Sequence, residues 1–202
     1  MSAARILAID PGQHAHGWAL LEQVAPRRYA VPLWGHGSTD SVATFLRDHE
    51  TYGELCVAIE RPAGFGFSQA RVVRLLEARG EAGRLAGIAS EHGRELVEVR
   101  AEVWRKLLTG RASADDAMVA KVLGWAAASH TGALVALPDC DGKERSHVFD
   151  AIGLGLMLAR EGAQRLRELE AALHRRDIDR GQQLELRGVP GARVGARRGA
   201  RR

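Results

Sequence analysis

The stretch Arg5-Ile6-Leu7-Ala8-Ile9-Asp10-Pro11-Gly12 carries an acidic residue directly after a short apolar run. An apolar run of this length is typical of a buried strand, and the Pro-Gly pair stops the strand and starts a turn. The run Leu55–Ile59 repeats the pattern, because it ends at Glu60. If the two strands are neighbours in one sheet, Asp10 and Glu60 lie close together at one edge of it.

The rest of the chain supplies further strands and helices around these two runs. An early series of strands, followed by alternating strands and helices, indicates an α/β fold with a mixed β-sheet flanked by α-helices. Apolar periodicity and turn residues set the limits of each element. Predicted strands cover residues 5–9, 17–24, 29–34, 55–59 and 95–99; predicted helices cover 38–49, 68–92 with potential breaks at Gly80 and Gly83, 102–108, 114–130 and 146–174.

Length and charge indicate one folded domain with a basic tail. The chain has 202 residues, which suits a single compact domain over residues 1–175. Residues 176–202 are predicted to form a basic, disordered tail, since the Arg-Gly-Ala pattern there has no apolar periodicity. Residues 187–202 carry six arginines and no acidic residue, so the formal net charge of +4 leaves −2 for residues 1–186. The basic composition alone is therefore weak support for a DNA partner.

The sequence predicts neither a membrane span nor a secretory leader. No apolar run approaches the 18 or so residues of a membrane helix. The apolar run at the amino end stops at Asp10 after four residues, which is too short for the apolar core of a signal peptide. We therefore expect a cytoplasmic, intracellular protein without a membrane partner.

Two more candidate site residues lie on the last predicted helix. His147 and Asp150 are three residues apart, which places them on one face of a helix. Small residues follow at Ala151, Gly153 and Gly155 and allow that helix to pack closely on a sheet. Carboxylates that converge at one edge repel each other unless a cation is shared, and hard oxygen ligands suit Mg²⁺ or Mn²⁺. Each residue alone is also typical of a turn, a strand end or a helix start.

Taken in order, these motifs resemble the RuvC family of Holliday junction resolvases in the ribonuclease H-like superfamily. The resemblance covers roughly residues 5–160, and no single motif in it is decisive. Its parts are Ile6–Gly12 followed by Gly17-Trp18-Ala19, Val57-Ala58-Ile59-Glu60, the small-residue helix segment Glu81–Gly87, Val99–Leu108 with Trp104-Arg105-Lys106, and the acidic helix His147–Leu154.

The resemblance implies a metal-dependent endonuclease with a ribonuclease H-like nuclease domain. Asp10, Glu60, His147 and Asp150 are then the catalytic and metal-binding residues, and two Mg²⁺ or Mn²⁺ ions drive in-line hydrolysis of a phosphodiester. His147 would favour Mn²⁺ as a nitrogen ligand, or it would carry protons near neutral pH. The substrate would be a four-way junction in DNA recombination and repair, cut by a homodimer with its contact around residues 83–87.

Several residues are candidates for contacts with branched DNA. Arg105, Lys106, Arg111 and Lys121 are candidate phosphate contacts, although a solvated helix face explains them equally well. Phe65 and Phe67 lie between glycines beside Glu60, where they would stack on unpaired bases or pack under their own loop.

Three features depart from the family pattern and leave alternatives open. The stretch Ser113-Ala114-Asp115-Asp116 lacks an expected lysine, the loop after Glu60 is rich in glycine, and the tail is extra. A broader flap or branched-DNA endonuclease and a non-catalytic junction-binding protein stay possible, whereas an actin-like phosphotransferase lacks a second glycine-rich phosphate loop. The sequence does not indicate whether a branch-migration helicase is a partner.

Overall fold

The computed structural model describes residues 5–13, 15–48, 55–62, 69–128 and 132–186. Its centre is a five-stranded mixed sheet with the strand order β3-β2-β1-β4-β5. Strands β1, β2 and β3 form an antiparallel meander, and β4 and β5 run parallel to β1. The strands span β1 Arg5–Asp10, β2 His16–Ala25, β3 Arg28–Gly37, β4 Leu55–Arg61 and β5 Glu95–Arg100.

Six helices are present in the described part of the chain. They span α1 Thr39–Asp48, α2 Gln69–Glu91, α3 Ala101–Thr109, α4 Asp116–Ala128, α5 Gly142–Glu161 and α6 Ala163–Leu186. The α/β class, the mixed sheet and the flanking helices are those expected from the sequence. None of these helices combines the length and apolar character that a membrane crossing requires.

The helices cover both faces of the sheet, because successive strand residues point to opposite sides. On one face Ala8 of β1 shares a core with Ile152 of α5. On the other face Ile9 packs in a second core with Leu46 of α1 and Leu85 of α2. Strand β1 is therefore buried on both sides, which explains why its sequence is continuously apolar rather than alternating.

The last predicted helix is wrong in its limits. Residues 146–174 were expected to form one helix, whereas α5 begins at Gly142 and ends at Glu161. Gly162, with φ 79°, separates it from α6, because glycine adopts this left-handed region without the cost that a side chain adds. Helix α6 continues to Leu186, so the expected start of the tail at residue 176 falls inside a helix. Residues 187–202 lie outside the described residues, and the disordered tail stays a prediction.

Ion pairs tie α6 to the carboxyl ends of β4 and β5. Glu170 on α6 is 8% exposed and accepts hydrogen bonds from Arg61 at 2.5 Å and from Arg100 Nε at 2.8 Å. The Arg100 backbone N–H also donates to Glu170 at 3.1 Å, and Arg100 Nη1 donates to Asp177 at 2.6 Å. A buried carboxylate with several donors is well compensated, so α6 is fixed beside the strand end that carries Glu60.

Candidate active site

The first two candidate carboxylates lie where β1 and β4 end side by side. The strands pair in parallel with Ile9 opposite Ile59, so Asp10 and Glu60 follow at matching positions. Asp10 is 7% exposed and faces Gly17 of β2 across the antiparallel pair. The sheet therefore brings the two acidic residues to one edge, as the sequence pattern predicts.

Helix α5 adds His147 and Asp150 to this edge, and glycines allow its close approach. A Cβ on Gly17 would lie 2.2 Å from the backbone carbonyl carbon of His147, and a Cβ on Gly155 would lie 2.6 Å from Leu21 Cδ1. At Gly17 the close atoms belong to the backbone, so there is no room for a side chain, whereas at Gly155 the Leu21 side chain would have to shift. The helix backbone thus lies directly on β2, opposite Asp10.

We expect Gly17→Ala to destabilise the protein by about 2 kcal/mol and to lower any activity of the site. The new methyl group collides with backbone atoms of α5, so the helix has to move away from Asp10. Thermal unfolding measures the loss. The matched control is Gly124→Ala on α4, where a Cβ meets nothing within 4 Å and alanine favours the helix. Equal stability of the two variants would contradict the close approach.

His147 contacts Asp10 directly. Its Nδ1 is hydrogen-bonded to Asp10 Oδ2 at 2.5 Å, and its ring stacks on His36 with ring centroids 5.6 Å apart. The hydrogen bond to Asp10 raises the pKa of His147 above its ordinary value, although partial burial opposes the shift. Because Nδ1 is held by Asp10, Nε2 is the ring nitrogen left for a proton or a ligand.

Glu60 is held by a buried tryptophan. Trp104 on α3 is fully buried, and its Nε1–H donates to Glu60 Oε2 at 2.8 Å. Burial and the neighbouring charges of Asp10 and Asp150 raise the pKa of Glu60 well above its ordinary value, while the tryptophan bond opposes the rise. Trp104 therefore favours the ionised form of Glu60.

Trp104→Phe removes that donor while it keeps an aromatic ring in the core. We expect a loss of about 1–2 kcal/mol in stability. We also expect any pH-dependent activity of the site to reach its half-maximum at a higher pH, because Glu60 holds its proton more firmly. Trp125→Phe is the control, since Trp125 is 63% exposed and surface changes of this kind stay within about 0.5 kcal/mol. An unchanged pH profile in Trp104→Phe would remove Trp104 from the site.

Asp150 pairs with an arginine inside the site. Arg105 on α3 donates to Asp150 Oδ2, and Asp150 Oδ1 is buried without a hydrogen-bond partner. Burial, followed by the charge of Asp10, raises the pKa of Asp150 to about 7, against the opposing effect of Arg105. A buried oxygen without a partner is unfavourable, so Asp150 retains one acceptor for a ligand.

The three carboxylates form a mutually repelling cluster that suits a cation. One oxygen of each carboxylate is hydrogen-bonded to another side chain: Asp10 to His147, Glu60 to Trp104 and Asp150 to Arg105. In this arrangement no three His, Cys, Asp or Glu side chains of the described ranges are grouped so as to hold a metal ion. The donor types and the unpartnered Asp150 oxygen fit Mg²⁺ or Mn²⁺, provided that side chains turn toward the ion.

The predicted DNA contacts are distributed differently. Lys106, Arg111 and Lys121 are exposed, as phosphate contacts must be, and Lys121 also lies over the Trp125 ring at 5.0 Å from its centroid. Arg105 instead points into the carboxylate cluster, with an 18% exposed side chain. Phe65 and Phe67 lie outside the described residues, so their role stays a prediction.

Sequence reasoning missed several partners of the site. From the sequence, Trp104 is recognised only as part of the Val99–Leu108 motif, and neither its full burial nor its bond to Glu60 follows from that motif. Arg105 was expected on the surface, and Asp116, which accepts from Arg105 at 3.3 Å, was read only as a departure from the family pattern. The one available signal was the position of Trp104 and Arg105 directly after β5, at the edge where β4 also ends.

Comparison with solved structures identifies the fold. The RuvC protein of Thermus thermophilus in complex with a Holliday junction substrate matches with a TM-score of 0.57 and 16% identity, over 77% of this chain and 93% of that one. A second Thermus thermophilus RuvC structure gives 0.57 and 19%, over 79% and 97%. The yeast mitochondrial Holliday junction resolvase gives 0.53 and 10%, over 86% of each chain.

Sequence comparisons do not add to this result. No protein-family model matches the chain. No curated protein matches it either. The three-dimensional likeness nevertheless confirms the expected architecture: the chain has the ribonuclease H-like fold of the RuvC resolvases.

Proposed function

We propose that the protein is a crossover junction endodeoxyribonuclease, a metal-dependent hydrolase that resolves four-way DNA junctions by paired cuts in recombination and repair. The observation that supports this most strongly is the convergence of Asp10, Glu60 and Asp150 at the carboxyl edge of β1 and β4. Burial and mutual repulsion raise the pKa of Glu60 and Asp150, and such shifts mark sites that bind cations or protons. The solved structures that share this fold are junction resolvases by name.

Asp10, Glu60, Asp150 and His147 are the residues that would hold two Mg²⁺ or Mn²⁺ ions. When bound, the ions would activate a water molecule and stabilise the leaving oxygen. The chain itself orients the ligands: Trp104 fixes Glu60, and Asp10 fixes the His147 ring through Nδ1. His147 Nε2 is then placed to hold a proton, and Asp150 offers Oδ1.

Exposed cations on α3, on α4 and in the loop between them would bind the DNA backbone. Lys106, Arg111 and Lys121 would contact phosphates, and the arginine-rich tail would add affinity that depends on salt rather than on sequence. Phe65 and Phe67, beside Glu60 in the sequence, would stack on unpaired bases. An intracellular location follows from a DNA substrate.

A four-way junction has near two-fold symmetry, so paired cuts need two symmetric sites. A homodimer supplies them, with α2 as its contact. The outer side of α2 exposes Val72, Val73 and Leu76, and Gly83 and Gly87 have open space beside them. Apolar side chains and small residues on one helix suit a contact between two copies.

The decisive experiment is cleavage of a labelled synthetic four-way junction beside a matched flap and linear duplex, with Mg²⁺, Mn²⁺ or EDTA. Symmetric, metal-dependent cuts confined to the junction are expected. Equal cutting of flaps would indicate a broader branched-DNA endonuclease of the same fold. Tight binding without cutting would indicate a junction-binding protein instead.

A further inference from the structure

Arg105 is the one described cation that reaches into the carboxylate cluster by a direct ion pair with Asp150. Its Nη2 donates to Asp150 Oδ2, whose side chain is 8% exposed, and to Asp116 Oδ1, whose side chain is 58% exposed. The guanidinium thus joins a carboxylate inside the site to one at the surface. The guanidinium therefore has one acceptor toward the interior, Asp150, and one toward the surface, Asp116.

The α3–α4 segment holds Arg105 in place independently of Asp150. Arg105 Nη1 donates to the Ala114 carbonyl at 2.8 Å, and the guanidinium carbon lies 5.3 Å from the centroid of the Trp104 ring. Arg105 Nε is buried without a hydrogen-bond partner. The arrangement leaves one donor of Arg105 and one oxygen of Asp150 unsatisfied, so both groups gain from a further partner.

An arginine and a divalent cation cannot share the same carboxylate oxygen without cost. Both carry positive charge, and at contact distance in a partly buried site their repulsion is strong. The ion pair at Oδ2 also fixes the rotation of the Asp150 carboxyl group. Asp150 Oδ1 has no hydrogen-bond partner, but for Asp150 to bind a metal ion through both oxygens Arg105 has to release Oδ2.

We propose that Arg105 is an internal counter-cation that competes with the divalent metal ion for Asp150, so that metal binding transfers its guanidinium toward Asp116 at the rim of the site. This rests on the metal site of the proposed function. The guanidinium keeps Ala114 and Asp116 as acceptors after the transfer, and the Nη2 hydrogen released from Asp150 is then available for a phosphate oxygen of the DNA. Arg105 therefore acts on metal affinity as well as on substrate.

The first test is calorimetric titration of Mn²⁺ into the DNA-free protein at pH 8. Arg105→Gln removes the competitor, and we expect roughly tenfold tighter binding. Arg160→Gln removes the same charge from an exposed position ten residues beyond Asp150 on α5, and accounts for the change in net charge. Arg105→Lys keeps the positive charge but cannot donate to two carboxylates as the guanidinium does. Its Mn²⁺ affinity should lie between those of wild type and Arg105→Gln. Equal changes of Mn²⁺ affinity in Arg105→Gln and Arg160→Gln would overturn the proposal that Arg105 competes with the metal ion.

The second test follows Arg105 directly in the wild-type protein, and variants serve only for assignment and control. The Arg105 Nε–H signal in nitrogen-15 NMR, assigned by its loss in Arg105→Lys, is expected to shift as Mg²⁺ is added, with Asp10→Asn as the control without a complete site. Mg²⁺ binding that leaves this signal unchanged overturns the proposal but leaves the metal site intact. Absence of Mn²⁺ binding in wild type and in Arg105→Gln overturns both.

Discussion

Asp10→Asn is expected to reduce junction cleavage by about 10³-fold without loss of folding. The substitution removes the negative charge at the end of β1, where Asp10 is hydrogen-bonded to His147. The asparagine has the same size and retains a hydrogen-bond acceptor for His147. The loss therefore reports on charge at the site rather than on packing.

The matched control is Asp48→Asn, which removes an equal charge from an exposed position at the end of α1. Cleavage rates of both variants on the same junction, with thermal unfolding of each, separate chemistry from stability. Junction binding should persist in Asp10→Asn, because the phosphate contacts lie elsewhere. A wild-type rate in Asp10→Asn would remove this residue from the catalytic centre and, with it, the proposed mechanism.

Metal-free protein is expected to lose stability as the pH rises from 5 to 8. The pKa of Asp150 in the folded state is about 7, against about 3.9 in an unfolded chain. The folded state then binds the proton more tightly, so the stabilisation is present below the folded pKa and is lost as the pH rises through it. For Asp150 alone the loss amounts to about 3 kcal/mol between pH 5 and pH 8.

Glu60 and His147 act in the same direction, since the pKa of each is raised in the folded state. The buried His16 acts in the opposite direction, because burial lowers its pKa. Comparison of wild type with Asp150→Asn isolates the Asp150 contribution. The variant should become more stable than wild type as the pH rises, and Mg²⁺ at pH 8 should restore wild type only. A difference between the two proteins that does not change with pH would contradict the raised pKa of Asp150.

The fold was predictable because its central strands are buried on both faces. Continuous apolar runs ending at Asp10 and Glu60 identify β1 and β4, and their shared ending explains why the acidic pair was found. The break at Gly162 was not predictable, since glycine inside an apolar helical pattern is often tolerated. The tertiary contacts of α6 decide that this glycine divides two helices.

The polar partners of the site were harder to predict. Whether an arginine faces solvent or a carboxylate depends on how α3 lies against α5, and the sequence of α3 does not contain that information. Trp104 illustrates the same limit. The apolar pattern of the surrounding sequence is the same whether a buried tryptophan only packs in the core or also donates a hydrogen bond to Glu60. Gly17 could be recognised only as part of a motif. The structure explains why this position is glycine, because a side chain there would collide with the backbone of His147.

The position of Glu170 late in the sequence affects the order in which the ion pairs can form during translation. Arg61 precedes its acceptor by 109 residues, and translation adds about 5–20 residues per second. Glu170 is therefore added to the chain roughly 5–20 seconds after Arg61. We therefore expect this end of the sheet to stay uncovered in the nascent chain until α6 has emerged.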